Sequence, residues 1–325
     1  MSKDHSIILE DIKPKILSNF VEYAKIFTPF QSNFLCGLYK RYKCLDNGTL
    51  VLYFAKKTHQ AILRKTDYDL NYNLSFEKFW DNHSEATTAP TTIMSIAKDL
   101  NLPKETTRRK LAELIEQRIL NKKNKSILWL PSDDYKKYYN DFVGEEIKSM
   151  ARLTKYVADK SALNFTTDEI VVEYKKRFSF YWFHFLDTQL KWMKMWKKQF
   201  SDLEVALIFL QFAILLSSKI DPKKKTSHTN LFTTPTIITI PITEKVSVSA
   251  TSVSDITGIP RATCIRKLNL MTKQKILEQD LKNKRYYIIP EAFNNNLVSK
   301  ELTEQASQIF SEFYFVSIKA LNSKI

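Results

Sequence analysis

Apolar residues in this chain recur mostly at helical spacing, which predicts a succession of amphipathic helices and few strands. Thr107, Leu111, Leu114 and Ile115 stand at i, i+4, i+7 and i+8, the inward stripe of one helix. A shorter stripe, Ile96, Ala97 and Leu100, precedes it. Residues 301–321 place Ile309, Phe310, Phe313, Val316 and Leu321 on one face, and residues 133–159 do the same with Tyr135, Tyr139, Phe142, Ile147, Met150 and Leu153. The most apolar run, residues 203–216, contains Glu204 and Gln211. It falls short of the roughly 20 residues needed to cross a bilayer and predicts a buried helix.

Two polar connections interrupt this pattern. Residues 65–92 keep Tyr68, Tyr72, Phe76, Phe79 and Trp80, which predicts partial packing. Residues 217–250 carry Lys223, Lys224, Lys225, three prolines and many Ser and Thr, and predict a mobile segment with one β-prone stretch at 236–242.

One segment occurs twice. Residues 95–120 align without a gap on residues 252–277, 157 positions later, with nine identities in 26 positions. Among them are Pro103 and Pro260, Thr106 and Thr263, and the Arg-Lys-Leu triplets that begin at Arg109 and Arg266. Each copy reads as helix, tight turn and basic helix. Further likenesses, Val21–Phe27 with Val172–Phe178 and residues 46–63 with 202–218, extend the repeat. They give each half the order helix, helix, loop, helix pair, helix, and place a division between residues 1–155 and 156–325. Two halves of this kind predict an internal pseudo-dimer related by a pseudo-twofold.

Composition narrows the fold class to mainly α. Four glycines in 325 residues leave few turns for hairpins. A net charge of +15 makes a polyanion the expected partner, either nucleic acid or an anionic membrane. The charge is concentrated: residues 98–125 hold nine Lys and Arg against four Asp and Glu, and residues 255–285 hold eight against three. Three scattered cysteines, none in a His/Cys cluster of metal-binding spacing, fit a reduced cytoplasmic chain. No nucleophile elbow, phosphate loop or metal motif occurs, so neither catalysis nor a cofactor is expected.

Within the first copy, Ser95 is the expected N-cap, Asn101 the left-handed turn residue and Pro103 the first residue of the second helix. The second copy offers Gly258 and Pro260 for the last two roles. The stripe of the second helix leaves Lys104, Glu105, Arg108 and Arg109 outward, with Thr106 beside them. Arginines there can grip guanine O6 and N7 with paired hydrogen bonds. The matching set is Arg261, Ala262, Thr263, Ile265 and Arg266, with Cys264 in the core slot of Thr107. Ile265 in place of Arg108 suits a thymine methyl or a weaker site. After each helix come a basic tip and a short apolar run. Lys122, Lys123 and Lys125 precede Ile127–Leu130, and Lys282, Lys284 and Arg285 precede Tyr286–Ile289. Such a ribbon lays cations along phosphates.

Both segments resemble the winged helix-turn-helix of bacterial transcription regulators of the MarR, GntR and Crp kind, over about 40 residues in each half. The resemblance implies double-stranded DNA as partner, with recognition helices in successive major grooves about 10 bp apart. Two alternatives stay open: a plasmid- or phage-type replication initiator with tandem winged helices, and a protein-interaction scaffold. The aromatic stretch 178–196 is read as a helix core. An effector pocket for a small molecule, or an interfacial helix with Lys191, Lys194, Lys197 and Lys198 on its polar side, are the other readings.

Overall fold

The computed structural model describes residues 9–69, 72–86, 91–123, 126–219, 247–289 and 300–323. It is mainly helical with two small antiparallel sheets, as composition predicts. The helices are α1 (Leu9–Ser18), α2 (Phe20–Tyr42), α3 (Leu45–Lys65), α4 (Phe79–Glu85), α5 (Ile93–Leu100), α6 (Lys104–Glu116), α7 (Asp133–Lys160), α8 (Thr167–Lys176), α9 (Phe178–Phe200), α10 (Leu203–Lys219), α11 (Ala250–Thr257), α12 (Arg261–Lys273) and α13 (Lys300–Asn322). The strands are β1 (Asn121–Lys123), β2 (Ser126–Leu128), β3 (Ser247–Val248), β4 (Leu277–Asp280) and β5 (Arg285–Ile288).

Element lengths repeat along the chain. Helices α1 and α8 have 10 residues each and α2 and α9 have 23, both pairs offset by 158 positions (Leu9 to Thr167, Phe20 to Phe178). Helices α5 and α11 have 8 residues and α6 and α12 have 13, offset by 157 (Ile93 to Ala250, Lys104 to Arg261). The likeness of Val21–Phe27 to Val172–Phe178 is out of step with this series, because the first lies in α2 and the second covers the end of α8. Short aromatic-basic strings recur by composition on amphipathic helices, and helix boundaries are the firmer guide. The expected division at 155/156 falls inside α7.

The chain forms two compact units, each discontinuous in sequence. One is built from Asp46–Met195 and Glu312–Ile325, the other from Leu9–Leu45 and Trp196–Ser311. The first therefore combines α3–α7 with α8 and most of α9, and the second combines α1 and α2 with α10–α12.

In the first unit, α7 packs on α8, with the Thr154 and Tyr174 hydroxyls 2.6 Å apart, and Trp182 Nε1 on α9 donates to the Tyr139 hydroxyl on α7 (2.8 Å). The connection 65–92 holds α4, whose Phe79 is fully buried and stacks on His59, with Phe178 edge-on to it. Its backbone is tied down by Phe76 N–H to Lys175 O (2.8 Å) and Ser179 N–H to Leu74 O (3.1 Å). The α9 aromatics Phe178, Tyr181, Trp182 and Phe185 are all buried, which is the core reading of that stretch. Asp187 is taken by Lys56 (2.7 Å) and Lys191 (3.1 Å).

In the second unit, α10 packs against α2, α11 and α12. Leu207, Ile208 and Phe212 are fully buried, and the buried Gln211 donates to Ser32 Oγ (2.9 Å) and to Leu207 O. In this core each fully buried apolar side chain contributes roughly 1.5–3 kcal/mol. Among the described residues no single helix is long and apolar enough to cross a membrane. The β-prone stretch 236–242 lies outside the described residues.

Candidate nucleic-acid interface

Helix α5 starts earlier than its sequence suggests. Its N-cap is Thr92, whose side chain accepts from Ser95 N–H (3.1 Å). Ser95 is thus the donor of the cap, the reverse of its expected role, because Ile93 and Met94 already have helical backbone. Ser249 caps α11 in the same way through Ser252 N–H (3.0 Å). The turn residues fall as expected: Asn101 at φ 52° and Gly258 at φ 74° are both left-handed. Leu102 and Ile259 then return to the core. Pro103 and Pro260 sit at the N-cap, one position before the expected one, with extended backbone that closes the first helical turn.

On α6 the buried stripe is Thr107, Lys110, Leu111 and Leu114. The Thr107 hydroxyl is satisfied locally by Pro103 O (3.0 Å). Lys104, Glu105, Arg108 and Arg109 are exposed and Thr106 half-buried, as the stripe requires. Arg108 does not stand free. It donates to Glu105 through Nη2 (2.5 Å to Oε1) and Nε (3.0 Å to Oε2), and that bond holds Glu105 below the usual carboxylate range. Arg109 Nε lies 4.0 Å from Glu113, which also receives Asn47 Nδ2 from α3 (3.2 Å). A second tie to the scaffold is the Tyr53 hydroxyl on Asp99 of α5 (2.8 Å).

On α12 the stripe is Cys264, Lys267, Leu268 and Met271, with Cys264 occupying the slot of Thr107. Arg261, Ala262 and Arg266 are exposed, Thr263 and Ile265 half-buried. Arg261 Nε donates to Thr251 Oγ1 (3.1 Å), which steadies it over the start of α11. The Lys of the repeated Arg-Lys-Leu triplet faces inward in both copies. Lys267 pairs with Asp202 and lies 3.7 Å from Glu204, both at the start of α10. Part of the repeated basic pattern is therefore packing: position 110 is i+3 from Thr107 and i−1 from Leu111, at the edge of the apolar stripe.

Each helix pair is followed by an antiparallel ribbon. Asn121 pairs with Leu128 and Lys123 with Ser126, so Lys122 and Lys123 are exposed strand residues and not the tip. Lys125 lies outside the described residues. In the second ribbon Leu277 pairs with Ile288 and Asp280 with Arg285, and β3 adds a third strand against β5. Lys282, Lys284 and Arg285 are exposed, but Arg285 is tied to Ser247 through Nε to Oγ (2.7 Å) and Nη2 to O (3.0 Å).

No family model, no curated protein and no solved structure matches this chain. The geometry of the two surfaces therefore stands on its own. Each offers an exposed helix of 13 residues with outward cations on its first turns, set at the end of a left-handed turn and followed by a basic ribbon. Such a surface suits a polyanion with a groove of helix width. The sequence pattern did not point to two further cations, Arg118 and Lys275. They close α6 and α12 with left-handed backbone (φ 56° and 57°), exposed and at matching positions. Leu281 is 83% exposed at the second tip, a position that no periodicity singles out, since it is a lone leucine in a loop.

Proposed function

We propose that this chain is a sequence-specific double-stranded DNA-binding protein that acts as a transcription regulator, built as an internal duplication of a winged helix-turn-helix unit. What supports this most is that one exposed basic surface, α6 with its ribbon, recurs at α12 with the same helix lengths and the same offset. In this reading Lys104, Arg108, Arg109, Arg261 and Arg266 enter major grooves, and Lys122, Lys123, Lys282 and Lys284 lie on phosphates. The helices differ at Glu105/Ala262 and Arg108/Ile265, so the preferred site is an imperfect palindrome.

Selection of bound sequences from randomised duplex DNA at about 150 mM salt tests the reading, with the Arg109→Ala/Arg266→Ala double variant alongside. An enriched bipartite motif that disappears in the variant is the expected result. Enrichment indifferent to both substitutions would remove the assigned faces.

A further inference from the structure

The four residues that join β4 to β5, Leu281-Lys282-Asn283-Lys284, form an unusually well-tied turn. Asp280 Oδ1 accepts from Lys282 N–H (2.8 Å), Asp280 Oδ2 accepts from Asn283 Nδ2 (2.7 Å), and Asn283 Oδ1 accepts from Arg285 N–H (2.9 Å). Lys284 closes it at φ 54°, in the left-handed region uncommon for a residue with a side chain. Behind the turn, Arg285 fastens β5 to Ser247 of the third strand. This framework holds Leu281 outward at 83% exposure, with Lys282 and Lys284 exposed next to it.

A single exposed leucine is ordinary on a protein surface. Here it sits at the end of a braced ribbon, followed by two exposed lysines, and the carboxylate that precedes it, Asp280, is consumed by the turn's own donors. One side chain is far too small to anchor a protein partner, whose interfaces bury on the order of 800 Å² per side. It matches the gap opened between two base pairs, where apolar wedges flanked by basic residues part a step and bend the duplex.

We propose that Leu281 is a minor-groove wedge: it enters a deformable base step while Lys282 and Lys284 hold the adjoining phosphates, so that the second ribbon bends DNA. The first ribbon lacks the device, because residues 121–125, Asn-Lys-Lys-Asn-Lys, contain no apolar side chain. The inference rests on the reading of the chain as a duplex-DNA binder. It adds that recognition at the second half-site includes bending at a flexible step, pyrimidine–purine by preference.

The test uses the full-length chain and a duplex taken from the randomised pool, with dyes at its ends and 2-aminopurine placed in turn at its pyrimidine–purine steps. The wild type brings the ends together and raises 2-aminopurine emission at one step. Leu281→Ala loses both signals and binds about tenfold more weakly, whereas Leu281→Phe keeps both. If Leu281→Ala binds and bends like the wild type, the wedge is wrong and the DNA-binding reading stands. If the wild type shifts no duplex from the pool, both fall together.

Discussion

Arg108 is clasped by Glu105 through two nitrogens on the exposed face of α6. The side chain best suited to a guanine edge is therefore already paired in the free protein. On the proposed reading, meeting DNA means exchanging a carboxylate for a base or a phosphate. The second copy has no such clasp, since Ala262 and Ile265 occupy the two positions.

Removing the clasp is expected to raise affinity and lower discrimination. Glu105→Ala frees Arg108 and deletes a repulsive charge, so binding to non-specific duplex strengthens severalfold. One additional phosphate contact makes the slope of log K against log salt more negative by about 0.9. Mobility-shift titrations at three salt concentrations measure this; an unchanged slope would place Arg108 away from the DNA.

Lys267 anchors α12 to the start of α10 through Asp202 and Glu204. Burial pushes the Glu204 carboxyl up, and the neighbouring Asp202 pushes it further. Burial works against Asp202 as well, but hydrogen bonds from Glu204 and Lys267 outweigh it and hold Asp202 low. Replacing the lysine strands two carboxyls. Lys267→Met is expected to cost roughly 3–5 kcal/mol in urea unfolding. Adding Asp202→Asn and Glu204→Gln recovers most of the loss, and a single variant as stable as wild type refutes the anchor.

These residues also mark where the sequence stops being legible. Helical spacing gave the stripe of α5, most of that of α6 and the core slot of Cys264, and the turn residues Asn101 and Gly258 were legible too, because those are set by neighbours in sequence. The inward turn of Lys267 depends on Asp202, 65 residues away, and no local pattern announces it. Thr92 was overlooked as a cap because Ile93 and Met94 add little to an apolar stripe, although Met94 is in fact exposed. The grouping of α1 and α2 with α10–α12 is a matter of long-range packing, which repeats in sequence do not specify.

A second buried pair makes the first unit sensitive to acid. His59 is fully buried with neither ring nitrogen hydrogen-bonded among the described residues, and His83 lies in the same aromatic cluster with Phe79, Trp80 and Trp129. Burial lowers His83 to about 4, opposed by its hydrogen bond to the Trp129 backbone, and burial takes His59 well below its ordinary value. The unfolded chain thus binds protons that the folded one refuses. The contribution of the histidines is full above pH 6.5 and falls as pH drops toward 4, by on the order of 3 kcal/mol for His83 alone. Urea midpoints at pH 7 and pH 5, followed by tryptophan emission, measure the loss. His83→Phe should reduce it, and an equal loss in that variant would assign the effect elsewhere.

Glu146 carries the opposite dependence. It lies on α7, 6% exposed, with Oε2 lacking a hydrogen-bond partner among the described residues. Burial pushes it up to about 8, and the charge of Glu145 adds to the shift. A carboxyl whose folded pKa exceeds its unfolded value near 4.5 favours the folded state only while it keeps its proton. Its contribution is present below pH 4.5 and is lost as pH rises through 8, on the order of 4 kcal/mol over the whole interval. Glu146→Gln keeps the shape and cannot ionise. The variant should therefore match wild type near pH 5 and exceed it at pH 8.5, where the wild-type side chain must either hold a buried charge or draw water into the α7 interface. Unfolding midpoints for the two proteins that run parallel from pH 5 to pH 8.5 would mean that the carboxyl is solvated in the folded state and that the α7 packing around it is looser than described.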